Sequence, residues 1–151
     1  MAVCTFFGHK DCPNKIGPAL EILLADLIEN KNVTVFYVGN QGNFDFIVRS
    51  YLEKIKGKYP YINYYIVLAY MPTGNEFIRQ DSFNITILPE GIENVPKRFA
   101  ISWRNKWMLA RSDFVVAYIE HDWGGAVQYA ERALKQHKQV FNLGSLNLQE
   151  L

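Results

Sequence analysis

Charge of one sign is what this chain lacks most. Its 151 residues hold 16 basic and 15 acidic side chains, a formal net charge of +1. Proteins that grip duplex DNA neutralise many phosphates and show a basic face, so a dedicated duplex binder is excluded. A small anion remains open as a partner, because it needs only one or two cations and a few backbone N–H groups. Cysteine is nearly as scarce. Cys4 and Cys12 are too few for a disulfide scaffold, and the chain reads as a reduced, cytoplasmic protein. Long apolar runs are missing too. None reaches the ~18–20 residues that span a bilayer, so no membrane partner is expected. The opening Met1-Ala2-Val3-Cys4 has no basic n-region, and its apolar stretch ends at Gly8 and His9. It reads as a first strand rather than a signal peptide. Cys4, His9 and Cys12 have no second cluster to complete a metal site, so neither metal nor cofactor is expected.

What the chain does have is apolar substance, 49% of all residues, in alternating strand and helix patterns. Strands are expected at 2–7, 33–38, 62–70, 85–88, 114–119 and 140–143. Helices are expected at 16–31, 44–55, 97–111 and 126–138, where apolar residues recur at helical spacing. The strands are continuously apolar, as in a sheet covered on both faces. Repeated βα alternation predicts an α/β fold, a Rossmann-like three-layer sandwich with a mostly parallel sheet and helices on both faces. No linker, repeat or low-complexity tract divides residues 1–151, which read as one domain. The 71–96 segment, with Pro72, Gly74, Pro89, Gly91 and Pro96, is either a binding loop or a plain surface loop. The tail after Gly144 reads as a loose end.

Ligands of open α/β sheets bind beyond the carboxyl ends of the strands. The first loop there holds Gly8, His9, Lys10 and Asp11. Gly39-Asn40-Gln41-Gly42-Asn43-Phe44-Asp45 joins a strand to a helix, and two readings apply. Either its backbone N–H groups and the helix N-terminus bind an anion, or Asn43 caps the helix and Asp45 complements its dipole. The 120–125 loop ends in Gly124-Gly125 at a second helix start. Within it Trp123 either stacks on a ring or closes the core, while His121 and Asp122 either position a hydroxyl or are solvated. In the helix 97–111, Ala100, Trp103, Trp107 and Ala110 share a face expected to be core. Arg104 falls off that stripe, free to pair a phosphate or carboxylate with its planar fork, beside Asn105. His137 is expected on a solvated face.

Taken together these loops resemble the SLOG superfamily, a Rossmann-like group that includes the LOG-type phosphoribohydrolases and the DNA-processing protein A domain. The resemblance runs from Val3 to Leu143. It is nearest a bacterial and phage-borne branch whose members begin with Phe-Phe-Gly-His, here Phe6-Phe7-Gly8-His9. Gly39 through Asp45 is similar to the superfamily's glycine loop, with the second glycine displaced by one position. Arg104 lies nine residues ahead of Asp113 in Ser112-Asp113, like an arginine that acts in catalysis in the phosphoribohydrolases. Gly124-Gly125-Ala126-Val127-Gln128 stands where that family has a phosphate-cradling loop ending in its catalytic glutamate. Here Gln128 takes the glutamate's place, and an amide cannot supply the charge an oxocarbenium-like sugar needs. Glu131, three residues on, is the alternative carboxylate.

The resemblance therefore implies a binding module for a nucleotide or nucleotide-derived signal, such as an ADP-ribose-like or cyclic compound. It would act as a sensor or sponge in conflict between phage and bacterium. Gly8, His9, Gly39, Asn40, Gln41, Gly42, Asp45, Arg104, Asn105, Trp123, Gly124, Gly125 and Gln128 would bind the ligand. The alternative is an N-glycosidic hydrolase of nucleoside monophosphates, with Arg104 and Glu131 as its catalytic groups. A homodimer or larger homo-oligomer is implied by analogy.

Overall fold

The computed structural model describes residues 1–70 and 85–150. Six strands form one sheet: β1 (Ala2–Gly8), β2 (Val33–Val38), β3 (Asn63–Val67), β4 (Thr86–Ile87), β5 (Phe114–Tyr118) and β6 (Gln139–Asn142). Their order is β4-β3-β2-β1-β5-β6, and every neighbouring pair is parallel. Strand order reverses at β1, so the switch point lies between β1 and β5. The helices are α1 (Gly17–Asn30), α2 (Gly42–Lys58), α3 (Lys97–Ala110) and α4 (Gly125–Lys135). This is the Rossmann-like α/β sandwich that the alternation predicts. The first part of the 71–96 connection, residues 71–84, lies outside the described residues; the rest holds β4 and a short 3-10 turn at Ile92–Asn94.

The alternation of side chains along β1 sorts the two faces of the sheet. Cys4 and Phe6 meet Leu20, Leu24 and Leu27 of α1 and Phe44, Val48 and Leu52 of α2. Phe7, on the opposite face, meets Met108 and Leu109 of α3 and Tyr129 and Ala133 of α4. Both faces of β1 are covered, which is why its sequence is apolar without interruption. Helix ends follow local chemistry. After α1, Asn32 takes a left-handed φ of 57°, a conformation asparagine tolerates. After α4, His137 does the same at 63°, so the helix stops at Lys135, short of the predicted Lys138. His137 itself is exposed, as expected.

Two expectations are corrected. The buried residues of α3 are Ala100, Arg104, Met108 and Leu109. Trp103 and Trp107 are only half-buried and Ala110 is exposed, so the inward stripe is 100/104/108 and Arg104 stands at its centre. The tail after Gly144 is also not loose. Asn142 Nδ2 donates to the Ile119 and Leu146 carbonyls at 3.0 and 2.8 Å, and its Oδ1 accepts the Ile119 and Gly144 N–H groups at 2.8 and 2.9 Å. Gly144 lies flat on the Ile119 backbone, where a Cβ would come 2.3 Å from the carbonyl oxygen. Leu148 is buried beside Val127 and Ala130. Replacing Asn142 by alanine removes all four bonds and strands buried backbone groups. The expected loss is about 2 kcal/mol in urea unfolding; a loss below about 0.5 kcal/mol would mean the tail is held by other contacts.

Candidate functional site

A cavity of about 420 Å³ opens at the carboxyl ends of β1 and β5. Its floor is Phe6, Phe7 and Gly8, and its walls come from three loops and α3. In open α/β sheets the crevice outside the carboxyl ends of the strands, at such a switch point, is where ligand sites form.

The loop after β1 supplies His9, Lys10 and Asp11. His9 is buried, with its N–H bonded to the Tyr118 carbonyl at 3.2 Å. Its Nε2 accepts the Glu120 N–H at 3.0 Å, a role that needs this nitrogen unprotonated. Burial, followed by the proximity of His121, pushes the His9 pKa below its usual value. The imidazole thus clips the β1 loop to the β5 loop in its neutral form. Cys12, buried just beyond, is inert as a nucleophile: burial and then the charges of Asp11 and Glu120 raise its thiol to about 12.

The loop after β2 is drawn inward. Gly42 has φ 83°, and a Cβ there would lie 2.8 Å from the Lys10 Cα, so both the angle and the close approach demand glycine. The Asn43 N–H donates to the Lys10 carbonyl at 2.8 Å. Its side chain does not cap α2, contrary to that reading of the sequence; it donates to the Cys12 carbonyl at 2.5 Å and to Asn14 Oδ1 at 3.0 Å. Asp45 Oδ2 reaches back over the first turn of α2 to accept the Gln41 N–H at 2.9 Å. Asn40 accepts from Arg49 at 2.7 Å and does not line the cavity. At this loop, two backbone donors are already spent within the protein.

The start of α4 differs. Gly124, at φ 104°, has no side chain to cap the helix, and added Cβ atoms at Gly124 or Gly125 would meet nothing within 4 Å. Both glycines line the cavity. Ahead of them three rings stack: His9 on His121 at 3.7 Å and 17°, and His121 on Trp123 at 3.6 Å and 14°. The Trp123 ring is 68% exposed, so the stack ends in an open aromatic face rather than in the core. Asp122 is exposed.

From α3 comes Arg104, 2% exposed yet on the cavity wall. Nε donates to Asn105 Oδ1 at 3.1 Å and Nη1 to the Val67 carbonyl at 3.3 Å. Nη2 has no hydrogen-bond partner among the described residues. Burial lowers the guanidinium pKa, and the nearby Asp45 offsets part of that. Asp45 shares the cavity and is itself buried; desolvation raises its carboxyl to about 6 against the pull of Arg104. Gly39 makes the meeting possible, since a Cβ there would sit 2.7 Å from Asp45 Oδ2 and 3.0 Å from Arg104 Cζ.

The structure thus gathers Gly8, His9, Gln41, Asp45, Arg104, Asn105, Trp123, Gly124 and Gly125 around one space. Gln128 and Glu131 line a separate, more open groove beside Trp123, Gly124 and Gly125. Arg104 and Glu131 therefore do not share a cavity; the buried carboxylate beside Arg104 is Asp45. Lys10 and Asp11 of the first loop line the space as well, and so do Ile101 and Met108, which nothing in the sequence pattern marked. The spacing of Ala100, Arg104 and Met108, each four apart, is the signal that would have placed Arg104 inward.

Fold and site together define a Rossmann-like α/β protein with its cavity at the switch point. No protein family profile and no curated protein sequence matches the chain. Among solved structures it is similar to DNA processing protein A from Helicobacter pylori, described for its single-stranded DNA binding mode. The TM-score is 0.60 at 16% identity, over 93% of this chain and 64% of that one. At that identity the likeness is one of fold. Among the described residues no helix is long and apolar enough to cross a membrane.

Proposed function

We propose that this protein is a SLOG-type binding module for a nucleotide or nucleotide-derived ligand, with the phosphate held between Arg104 and the N-terminus of α4. One observation carries this reading: an arginine that is 2% exposed lines a cavity that is also lined by an uncapped helix start. A buried cation with an open donor is unfavourable without a partner, and a phosphate is the partner its planar fork fits. The free N–H groups and dipole of α4 add to the same preference. The base then lies on the exposed face of Trp123, the outer member of the ring stack. A domain that binds in this way serves as a sensor or sponge of a nucleotide signal.

Thermal-shift measurement with the four nucleoside monophosphates, ADP-ribose, 3′,5′-cyclic AMP and a single-stranded oligothymidylate tests the reading. A rise in melting temperature with a nucleotide is expected. The oligonucleotide is included because the neighbouring fold binds single-stranded DNA; its binding alone, with every small nucleotide silent, would replace the reading. Trp123→Ala removes the stacking face and is expected to weaken the bound nucleotide about tenfold, from the ~1–3 kcal/mol of a base–aromatic stack. Trp123 also reports binding directly, since a base stacked on an exposed indole quenches its fluorescence. Unchanged affinity in the alanine variant would place the base elsewhere.

A further inference from the structure

A carboxylate is an awkward neighbour for a bound phosphate. Asp45 and Arg104 reach the cavity from opposite faces of the sheet, one from α2 and one from α3, and meet over Gly39 because glycine leaves the space between them open. They do not form a direct ion pair; among the described residues the pair within 4.0 Å is Lys54–Glu21. Asp45 commits one oxygen, Oδ2, to the Gln41 N–H. A phosphate that engages Arg104 must bring its negative charge close to this carboxyl in a poorly solvated space, where like charges repel strongly.

We propose that Asp45 takes up a proton when a nucleotide phosphate binds at Arg104, so that it faces the phosphate as an O–H donor and not as a second anion. This rests on the nucleotide-binding reading of the same cavity and adds to it a specific coupling between ligand and proton. The balance is simple: the proton comes from solvent, one O–H bond forms on the carboxylate, and no other bond changes. Burial already brings the carboxyl to about 6 in the free protein, within reach of neutral pH. Titratable groups lie near Asp45 from the neighbouring elements. Arg104 lies on α3, and Arg49 on α2 is tied to Asn40. Lys10, Asp11 and His9 come from the loop after β1, and His121 from the loop after β5. In the free protein the two arginines hold the carboxyl ionised. A phosphate neutralises Arg104, removes that restraint and adds its own charge, and both changes raise the proton affinity of Asp45.

Calorimetric titration with AMP, in pairs of buffers with different ionisation heats between pH 6 and 8, tests the coupling. Asp45→Asn is the matched variant, since its amide oxygen still accepts the Gln41 N–H. The phosphate of AMP titrates near this range, but that contribution is common to both proteins and cancels in the difference. The wild-type protein is expected to take up more protons than Asp45→Asn on binding, about half a proton more at pH 6 and close to one more near pH 7. Its affinity should fall relative to the variant by up to tenfold per pH unit above pH 6. A second ligand removes the phosphate contribution: 3′,5′-cyclic AMP carries a constant charge across the range, so with it too the wild-type protein should take up more protons than Asp45→Asn. Equal proton uptake and parallel pH profiles in the two proteins overturn the proposal while leaving nucleotide binding intact. So does loss of binding in Asp45→Asn, because it would mean the ionised carboxylate is itself a ligand contact. If none of the four nucleoside monophosphates, ADP-ribose or 3′,5′-cyclic AMP binds the wild-type protein, the nucleotide reading fails and the proposal fails with it.

Discussion

Replacing Arg104 by methionine is expected to lower nucleotide affinity at least 100-fold while leaving the protein folded. The two halves of this result have separate causes. Hydrogen bonds to a charged partner contribute about 1.5–3 kcal/mol each, more than neutral ones, and Arg104 is the buried cation on the cavity wall. Losing it removes both the charge and the open Nη2 donor. The fold should survive because Arg104 occupies the inward stripe of α3 between Ala100 and Met108, a position an unbranched apolar side chain fills well. Exchanging a buried ion for a hydrophobe of similar volume is often neutral for stability. Asp45 is the complication. Without the guanidinium its carboxyl titrates higher still, so any destabilisation should appear above neutral pH and vanish in acid. Calorimetry for affinity and thermal melting at pH 5 and pH 8 for stability separate these effects. An affinity within threefold of the wild type would remove Arg104 from the site.

Gly8→Ala is expected to produce the largest loss of stability, about 3 kcal/mol in urea unfolding, at the upper end of what overpacking usually costs. An added Cβ would lie 2.3 Å from Phe44 Cγ and 2.4 Å from Cδ2. Phe44 is fully buried in the cluster that joins α2 to β1, so its ring has no open side to turn toward. The strain is therefore purely steric. Relief requires α2 to move outward, and the first turn of α2 carries both Asn43, which binds the loop after β1, and Asp45, which lines the cavity. The variant should consequently bind nucleotide more weakly than its stability loss at the assay temperature explains. A change in stability below about 0.5 kcal/mol would show that Phe44 can repack.

The fold was legible because its signals are local. Val33–Val38 is delimited by Asn32 and Gly39, and α1 by the recurrence of Leu20, Leu24 and Leu27, so each element can be read from neighbours along the chain. The candidate site was legible where loops follow strands, at Gly8-His9, at Gln41 and Asp45, and at Trp123-Gly124-Gly125. Arg104 was placed off the buried stripe because a charged residue is normally assigned outward, and its burial depends on Gly39 and Asp45, both distant in sequence. Capping is the local use an asparagine at position 43 suggests, whereas its partners, Cys12 and Asn14, lie a helix and a strand away along the chain. The anchoring of the tail by Asn142 is likewise a contact between segments, invisible to composition or periodicity. The ring stack of His9, His121 and Trp123 needs the loops after β1 and β5 side by side, which follows from strand order rather than from either loop alone.

That adjacency is also what the account depends on. Titrating the ¹⁵N-labelled protein with AMP and following the backbone amides of Gly124, Gly125 and Ala126 together with the Arg104 Nε–H tests it most directly. With the phosphate between Arg104 and α4, these signals are expected to move together, saturating with one affinity, while the amides of α1 on the far face stay still. Saturable shifts confined to other surfaces, or no shifts at millimolar AMP, would contradict it.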